Sequence, residues 1–338
     1  MNYLVTGGSG FIGSAFIRKL LQTPPFSGCI TNLDLLTYAA RPENEYAGDF
    51  RYRFVHGNIC DQSLVEQILS SGIDAVIHFA AETHVDRSIS SALPFIETNV
   101  KGTLSLLEAV RKFPHVHFHH VSTDEVYGSL GKLGSFDENS PYHPNSPYSA
   151  SKAASDHLVR AFAHTYQIST TLSHCSNNYG PGQYPEKLIP LMIERMVAKK
   201  PLPVYGKGAN IRDWLYVDDH VDALLAILQF GKKGETYDIG GGTELSNLDL
   251  IHLLIDLTAK ETGEDPLEYR SLIRFVDDRP GHDFRYAISS AKMQRDLGWF
   301  PKTPLREGLL KTIRGRLGAL CNHVEFGSVN NKKTIGTI

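Results

Sequence analysis

The chain has 338 residues, 41% of them hydrophobic and 21% charged, enough to build a core without disulfide or metal staples. Lysine and arginine total 34 against 37 acidic residues, a net charge of −3, which argues against a nucleic-acid-binding protein but allows a local basic pocket for a small phosphorylated ligand. Cys29, Cys60, Cys175 and Cys321 lie far apart and read as reduced thiols, no stretch is apolar and long enough to span a bilayer, and the β-rich Tyr3-Leu4-Val5 leaves no room for a secretion signal, so the expectation is a cytoplasmic protein without membrane contact.

In chain order, apolar or β-branched runs at 3–6, 29–33, 52–56, 75–79, 116–122 and 169–175 predict strands, with Cys29 and Cys175 inside them. Helical runs at 11–21, 63–71, 94–112 and 147–166 fall between. This alternation predicts an α/β fold, a Rossmann-type doubly wound parallel sheet. Beyond Tyr179 prolines punctuate the chain. A helix is expected over 188–198, then a strand at 212–217, a helix at 219–229, a strand at 236–239 and a helix at 248–262, where Ser246 and Asp249 resemble a capping box. A strand at 273–276 and helices at 290–297 and 304–317 complete the pattern. The organisation expected is a dinucleotide-binding domain over 1–178, to which 211–245 returns, and a smaller α/β substrate-binding lobe over 179–210 and 246–322 at the carboxyl edge of the sheet. A polar tail, 323–338, is expected to fray.

Gly7, Gly10 and Gly13 stand between the first strand and first helix with GxxGxxG spacing. Gly7 allows the tight turn, Gly10 lets backbone approach a pyrophosphate, and Gly13 lets helix pack on strand, with the anion at the positive end of the helix. Asp34 closes the second strand, where a carboxylate accepts from a ribose diol and repels a 2′-phosphate, favouring NAD over NADP. Glycine alone is weak evidence, since turns collect it; the strand, helix and acid together carry the reading.

Tyr148 and Lys152 are one turn apart at the start of a helix. A tyrosine titrates near ~10 and is a poor base at pH 7; an adjacent ammonium favours the phenolate, which then takes a hydroxyl proton while hydride leaves for nicotinamide. Upstream, Thr123-Asp124-Glu125 ends a strand at the edge where open sheets hold ligands. Two adjacent acids in different protonation states can eliminate water, one removing a carbon-bound proton and one protonating the departing hydroxyl. Taken alone, they would read as caps of the turn.

With these motifs stand Ala80-Ala81-Glu82-Thr83-His84-Val85-Asp86-Arg87-Ser88, Asn177-Asn178-Tyr179-Gly180-Pro181, Pro185-Glu186-Lys187-Leu188-Ile189-Pro190, Arg212-Asp213-Trp214-Leu215-Tyr216-Val217 and Asp278-Arg279-Pro280-Gly281-His282-Asp283. From Gly7 to about Pro301 the chain resembles the extended short-chain dehydrogenase/reductase superfamily and, within it, the NAD-dependent nucleotide-sugar 4,6-dehydratases that act on dTDP-glucose. The Asp-Glu pair is the specific part, since related epimerases and decarboxylases share the glycine turn and YxxxK but usually lack it.

The resemblance implies a closed redox cycle. Tyr148 deprotonates the 4-hydroxyl as carbon 4 gives hydride to NAD, and Thr123 hydrogen-bonds that oxygen. Glu125 removes the carbon-5 proton, Asp124 protonates the leaving 6-hydroxyl, and hydride returns to carbon 6, giving dTDP-4-keto-6-deoxyglucose and water. It assigns the cofactor to Gly7, Gly10, Phe11, Ile12, Gly13, Asp34 and Thr37; to Asn58, Ile59, Ala80, Ala81, Glu82 and His84; and to Thr98, Tyr148, Lys152 and Asn178. Substrate falls to His84, Thr123, Asn177, Lys187, Leu188 and Pro190, and to Pro203, Tyr205, Arg212, Asn247, Arg279 and His282, with Val204 lining the pocket. It also implies a homodimer through helices 94–112 and 147–166, and deoxysugar biosynthesis.

Some residues depart from the family pattern: Asn58 for Asp, Ala40-Arg41 for Gly-Asn, Asp238 for Asn, and Thr83 for Ser. His115, His117, His119 and His120 cluster, but no third ligand is placed, so strand packing is expected and no metal. Leu248–Leu257 reads as core. The other readings are an epimerase or decarboxylase that gives the two acids no task, and an NAD sensor that has lost catalysis, against which Tyr148, Lys152, Asp124 and Glu125 speak.

Overall fold

The apolar runs of the first half pair into one sheet. The computed structural model describes residues 1–41, 46 and 48–330. In it β1 (Tyr3–Thr6), β2 (Ile30–Asp34), β3 (Tyr52–His56), β4 (Ala75–His78), β5 (His117–Thr123), β6 (Thr170–Cys175) and β7 (Thr236–Ile239) lie parallel in the order β7-β6-β5-β4-β1-β2-β3. This is the doubly wound order, which reverses between β1 and β4 and opens a crevice at the carboxyl ends of the strands. Cys29 lies one residue outside β2 and is exposed.

The helices that cover this sheet are α1 (Phe11–Gln22), α2 (Gln62–Leu69), α3 (Val85–Ser90), α4 (Gly102–Val110), α5 (Pro147–Tyr166) and α6 (Val217–Phe230). Phe16 and Ile17 of α1 and Val221 and Leu224 of α6 join Val5, Ile77 and Val121 in one core layer. On the opposite layer Val65, Leu106, Leu107 and Val159 join Leu4, Val76 and Phe118. With both faces covered, β1, β2, β4 and β6 are buried along their whole length, the polar residues of β2 and β6 included. Each fully buried Leu, Ile or Phe contributes about 1.5–3 kcal/mol.

The helix expected over 94–112 is interrupted. Leu93–Phe95 leads into a π-helical stretch, Ile96–Lys101, before α4 begins. The wide turn places buried Asn99 where its side chain accepts from Glu82 N–H (2.8 Å) and donates to the Glu82 carbonyl (3.0 Å).

The chain forms two compact units: 1–178, 210–244 and 278–302 in the first, and 179–209, 245–277 and 303 onward in the second. Residues 278–302, assigned to the smaller lobe from sequence pattern, thus fold with the first unit. The reason is local: Phe136 and the 287–289 segment exchange backbone hydrogen bonds, the Ser290 hydroxyl brackets Gly240, and Met293 and Trp299 enter the core layer of α1 and α6.

The second unit is built on helices Leu188–Val197, Asn247–Thr262 and Leu305–Asn330 and a parallel strand pair, Leu202–Tyr205 with Ile273–Val276. Ile189, Met192, Ile193, Leu250 and Leu254 are buried there. Ser246 caps the middle helix through Asp249 N–H, but Asp249 reaches only the serine hydroxyl (2.6 Å), a carboxylate one methylene too short for a full capping box. The last helix runs to Asn330, past the expected end at 317, so residues 323–330 are helical; the rest of the tail, 331–338, lies outside the described residues.

Candidate active site

Gly7 sits at φ +70°, and a Cβ there would lie 2.6 Å from Ala80 N. A Cβ on Gly13 would meet the Gly7 carbonyl oxygen at 2.4 Å and Gly8 Cα at 2.8 Å. Gly10 differs: its Cβ would touch only Gly7 O, at 3.2 Å, so its outer side is open. Gly10 is also the N-cap of α1, whose first turn holds no acid and no side-chain cap, which leaves its N–H groups and dipole for an anion. Phe11 and Ile12 open that helix. Asp34 accepts from Ser9 N–H (2.9 Å) through Oδ2 and from Leu36 N–H (2.8 Å) through Oδ1, and each oxygen retains a lone pair for a ribose hydroxyl. Burial pushes its carboxyl up, and the two N–H groups draw it back. Open glycine face, uncapped helix and oriented carboxylate fit a dinucleotide.

Sequence reading missed Asn32. Its Oδ1 accepts from Gly8 N–H (3.0 Å), and its amide donates to Ser9 Oγ (3.2 Å) and Tyr52 (3.0 Å), pinning the glycine loop. The available signal was an amide inside a short strand expected to be buried. Asn99 was missed too; it also donates to Ser151 Oγ (2.8 Å), tying the Ala80-Ala81-Glu82 loop to α5 beside Thr98. Elsewhere at this edge, the Thr37 carbonyl accepts from Ala40 N–H, and Asn58 Oδ1 accepts from Cys60 N–H (2.9 Å) next to buried Ile59. His84 caps α3, and Asn178 Oδ1 lies 2.9 Å from His220 Nδ1.

β5 delivers Thr123, and the turn Asp124–Tyr127 follows it. The Thr123 hydroxyl donates to Asp124 Oδ1 (3.4 Å) and accepts from Glu125 N–H (3.3 Å), with the Tyr148 phenol nearby. Asp124 is 2% exposed, and its Oδ2 has no hydrogen-bond partner among the described residues. Burial, then the charges of Glu125, Asp213 and Asp238, push the Asp124 carboxyl well above the usual carboxylate range, against the pull of Arg212. The shift favours the protonated form, the one a general acid needs.

α5 starts on a Ser146–Ser149 capping box with Pro147 in its first turn, which fixes Tyr148 beside Thr123. Burial, with Glu125 nearby, pushes the phenol well above its ordinary value, while the Thr123 hydroxyl opposes. Lys152 donates to the Val121 carbonyl (2.9 Å) and lies 3.4 Å from His120 Nε2. Burial lowers Lys152 to about 8 despite Asp156. In the protein alone the Lys152 ammonium is directed at β5, and burial dominates at Tyr148.

Among the substrate candidates of the first unit, Arg212 is buried over the Tyr286 ring (4.3 Å) and donates to the Ile211 (2.7 Å) and Asp283 (3.0 Å) carbonyls. It shares the electrostatic neighbourhood of Glu125, Asp124 and Arg279. Arg279 meets Asp86 at 3.3 Å with its Nε unpartnered among the described residues, and Asn177 Oδ1 is likewise buried and unpartnered. His282 Nδ1 lies 2.6 Å from Asp278. In the second unit, Lys187 stands at the N-cap of the helix that begins with Leu188 and includes buried Pro190. Pro203 and Tyr205 lie on Leu202–Tyr205, and Asn247 opens the next helix. Val204 and Leu248 both crowd Gly208, which brings those two segments together.

Two members of the histidine cluster, His117 and His119, are taken up by hydroxyls. His117 bonds Ser169 (2.8 Å) and Thr171 (2.9 Å), and His119 bonds Thr171 (2.8 Å) and Ser173 (3.1 Å). No helix among the described residues is long and apolar enough to cross a membrane.

Residues 4–312 match the family described as GDP-mannose 4,6 dehydratase. The chain is 50% identical over 329 residues to the dTDP-glucose 4,6-dehydratase of Neisseria gonorrhoeae, covering 93% of this chain and 94% of that one. Among solved structures it is similar to DesIV, the dTDP-glucose 4,6-dehydratase of Streptomyces venezuelae with NAD and TYD bound (TM-score 0.87, 46% identity, 94% and 97% covered). It is also similar to the dTDP-glucose 4,6-dehydratase of Bacillus anthracis in complex with NAD (TM-score 0.85, 43% identity, 94% and 97% covered).

Proposed function

The chain belongs to the dTDP-glucose 4,6-dehydratase family, within the wider GDP-mannose 4,6 dehydratase family, and we propose that it converts dTDP-glucose to dTDP-4-keto-6-deoxyglucose and water with Tyr148, Glu125 and Asp124 as its acid–base groups. The observation that carries this is the buried Asp124, its Oδ2 without a hydrogen-bond partner among the described residues and its carboxyl raised by burial, beside Glu125, Thr123 and Tyr148. An epimerase needs no such acid.

When bound, NAD supplies the hydride acceptor for carbon 4 and the hydride donor for carbon 6, and its oxidised ring adds a positive charge that favours the Tyr148 phenolate. Gly7, Gly10 and Gly13 hold the pyrophosphate at α1, Asp34 the adenosine ribose, Asn58 and Ile59 the adenine side, and Ala80, Ala81, Glu82, Thr98, Lys152 and Asn178 the remainder. Tyr148 takes the 4-hydroxyl proton, and Thr123 holds that oxygen. The 4-ketone acidifies carbon 5, whose proton Glu125 removes and later returns. Asp124 protonates the departing 6-hydroxyl through Oδ2.

Arg212 and Arg279 neutralise the diphosphate, and Asn177 and His282 hydrogen-bond the same ligand. Lys187, Leu188, Pro190, Pro203, Tyr205 and Asn247 take the nucleotide end. The first unit is the cofactor domain and the second the sugar-nucleotide lobe. Leu93, Ile96 and Leu104, exposed at 68%, 46% and 38%, form the apolar face of a homodimer through this helical region, which sedimentation tests. Free Cys29, Cys60 and Cys175 suit a reducing cytoplasm, and the product suits deoxysugar synthesis.

The deciding experiment incubates the protein with dTDP-glucose in deuterated water and reads the product by NMR. A 6-deoxy-4-keto sugar with deuterium at carbon 5 is expected; recovery of a 4-epimer alone overturns the reading.

A further inference from the structure

We propose that His120 is a positioning residue for Lys152, its neutral imidazole taking one ammonium N–H and leaving another for the ligands of the site. The inference rests on the dehydratase reading above for what Lys152 serves, and on printed geometry for the contact itself.

His120 lies on β5 and is fully buried, and Lys152, on α5, is 4% exposed. Lys152 Nζ donates to the Val121 carbonyl at 2.9 Å and stands 3.4 Å from His120 Nε2. An ammonium can only donate, so Nε2 accepts and the ring proton sits on Nδ1. Asp156 Oδ1 competes for the same nitrogen at 3.2 Å, but that oxygen makes no hydrogen bond among the described residues. Asp156 is held instead through Oδ2, by Ser122 (2.9 Å), Tyr142 (3.0 Å) and His174 (3.1 Å), which leaves Oδ1 as negative charge on the His120 side. The charge states agree. Burial, then Lys152, lowers His120 to about 4, and Lys152, lowered by burial to about 8, is mostly ammonium at pH 7.

Packing alone does not explain this arrangement. His117 and His119, on the same strand, place both ring nitrogens on hydroxyls. His120 Nδ1 has no partner among the described residues, a cost that an apolar side chain here would avoid. Its ring lies 5.2 Å from that of His78 and 6.4 Å from that of Phe118, nearly parallel to the latter, which holds Nε2 in place. Val121 and His120 take two of the three ammonium N–H groups, and the third is what Lys152 offers the cofactor and Tyr148. Around Lys152, burial keeps His78 on β4 and Tyr148 on α5 neutral and pushes Cys175 on β6 up to about 12. His174 is a cation already paired with Asp156 and Asp238, so Asp156 is the anion that faces the lysine.

The test has two arms. In the first, the protein carries ¹⁵N-labelled histidine and no substrate, and long-range proton–nitrogen correlation reads the tautomer of His120, assigned by its loss in His120→Gln. Nδ1–H with a bare Nε2 is expected; a proton on Nε2 overturns the proposal. In the second, nicotinamide reduction on mixing with NAD and dTDP-glucose is followed by stopped flow across a pH series in wild type, H120Q, His120→Leu and His120→Met. The apolar variants remove an acceptor of the charged lysine, so Lys152 should lose its proton at lower pH. Their rate near pH 8 should fall at least tenfold, and the high-pH limb should move about one pH unit towards acid. H120Q, whose Oε1 can stand where Nε2 did, should restore both rate and limb. A lower rate with an unmoved limb, or H120Q behaving like H120L, overturns the proposal and leaves His120 as strand packing. H120M covers the case in which leucine prevents folding, and if neither folds the tautomer decides alone. A wild type that reduces no nicotinamide defeats the dehydratase reading instead, and the tautomer still decides the contact with Lys152.

Discussion

His174 Nδ1 lies 2.8 Å from Asp238 Oδ1, with both side chains fully buried. The other imidazole nitrogen is 3.1 Å from Asp156 Oδ2, whose second oxygen is 3.2 Å from His120, the neighbour of Lys152. Burial alone would lower His174, but two carboxylates raise it to about 9, so it is a cation between two anions. Tyr127 and Tyr142 complete the cluster with hydroxyls on Asp238 and Asp156. Asp238, which departs from the family pattern, is tolerated because His174 neutralises it.

His174→Asn should therefore be far worse than Asp238→Asn. The first leaves two buried carboxylates without their shared cation, a loss of about 3–5 kcal/mol. The second leaves His174 paired with Asp156 and should cost less. The double variant should recover most of the H174N loss, because Asp238 no longer needs a counter-charge. Urea denaturation of the four proteins measures this; additive losses would contradict the coupling.

The same pair predicts a pH dependence. A histidine whose folded value is raised from 6.5 to about 9 gives stability that is complete below about pH 6.5 and is lost as pH rises through 9. Lys152, lowered to about 8, works in the opposite sense, gaining stability as pH rises from 8 towards its unfolded value. The difference between wild type and H174N/D238N removes the lysine contribution. That difference should shrink by a few kcal/mol between pH 6.5 and 9.5, read from denaturation midpoints in a pH series.

The sheet was legible because short β-branched, aromatic or apolar runs alternate with helical ones: the runs at 3–6, 52–56 and 236–239 match β1, β3 and β7 residue for residue. The glycine turn was legible because a strand, a helix and Asp34 frame it, and the Tyr148–Lys152 pair because both residues fall at the start of an expected helix. Less visible was anything decided across long sequence separations. Asn32 and Asn99 look like ordinary polar residues until the loops they hold are in place. The π-helical stretch Ile96–Lys101 contains no proline or glycine of its own. The return of 278–302 depends on Ser290 meeting Gly240, 50 residues away. Charge states were hidden for the same reason, since burial, which dominates at Tyr148, is a property of the fold.

Gly10 and Gly13 should separate binding from folding. A Cβ on Gly13 runs into backbone at 2.4 and 2.8 Å, so Gly13→Ala should cost about 1–3 kcal/mol. Gly10 has φ −79° and ψ 177°, which alanine adopts freely, and only one contact, at 3.2 Å. Gly10→Ala should keep its denaturation midpoint yet weaken NAD tenfold or more, about 1.4 kcal/mol. Fluorescence titration with NAD alongside melting curves checks both; equal behaviour of the two variants would remove the pyrophosphate role of Gly10.

Asp34→Asn keeps one acceptor oxygen for Ser9 or Leu36 but loses the charge that repels a 2′-phosphate. NAD affinity should fall about tenfold, and the preference for NAD over NADP should narrow. Competitive titration with the two cofactors decides it, and an unchanged preference would place the discrimination elsewhere.

Glu125→Gln and Asp124→Asn should stop the reaction after oxidation, whereas Tyr148→Phe should stop it before. The amides cannot accept the carbon-5 proton or supply the one needed by the 6-hydroxyl, but Tyr148 and Thr123 remain to oxidise carbon 4. With substrate and NAD, E125Q should therefore accumulate reduced nicotinamide absorbance while 6-deoxy-4-keto product falls by about 10²–10⁴-fold. D124N should behave alike, with a milder deficit if water can replace the acid. Y148F should lose nicotinamide reduction and product together, since no group remains to take the 4-hydroxyl proton. Stopped-flow absorbance paired with product quantification separates the steps. Equal loss of reduction and dehydration in E125Q would remove Glu125 as the carbon-5 base, because a group acting only after the 4-ketone exists cannot slow the step that makes it.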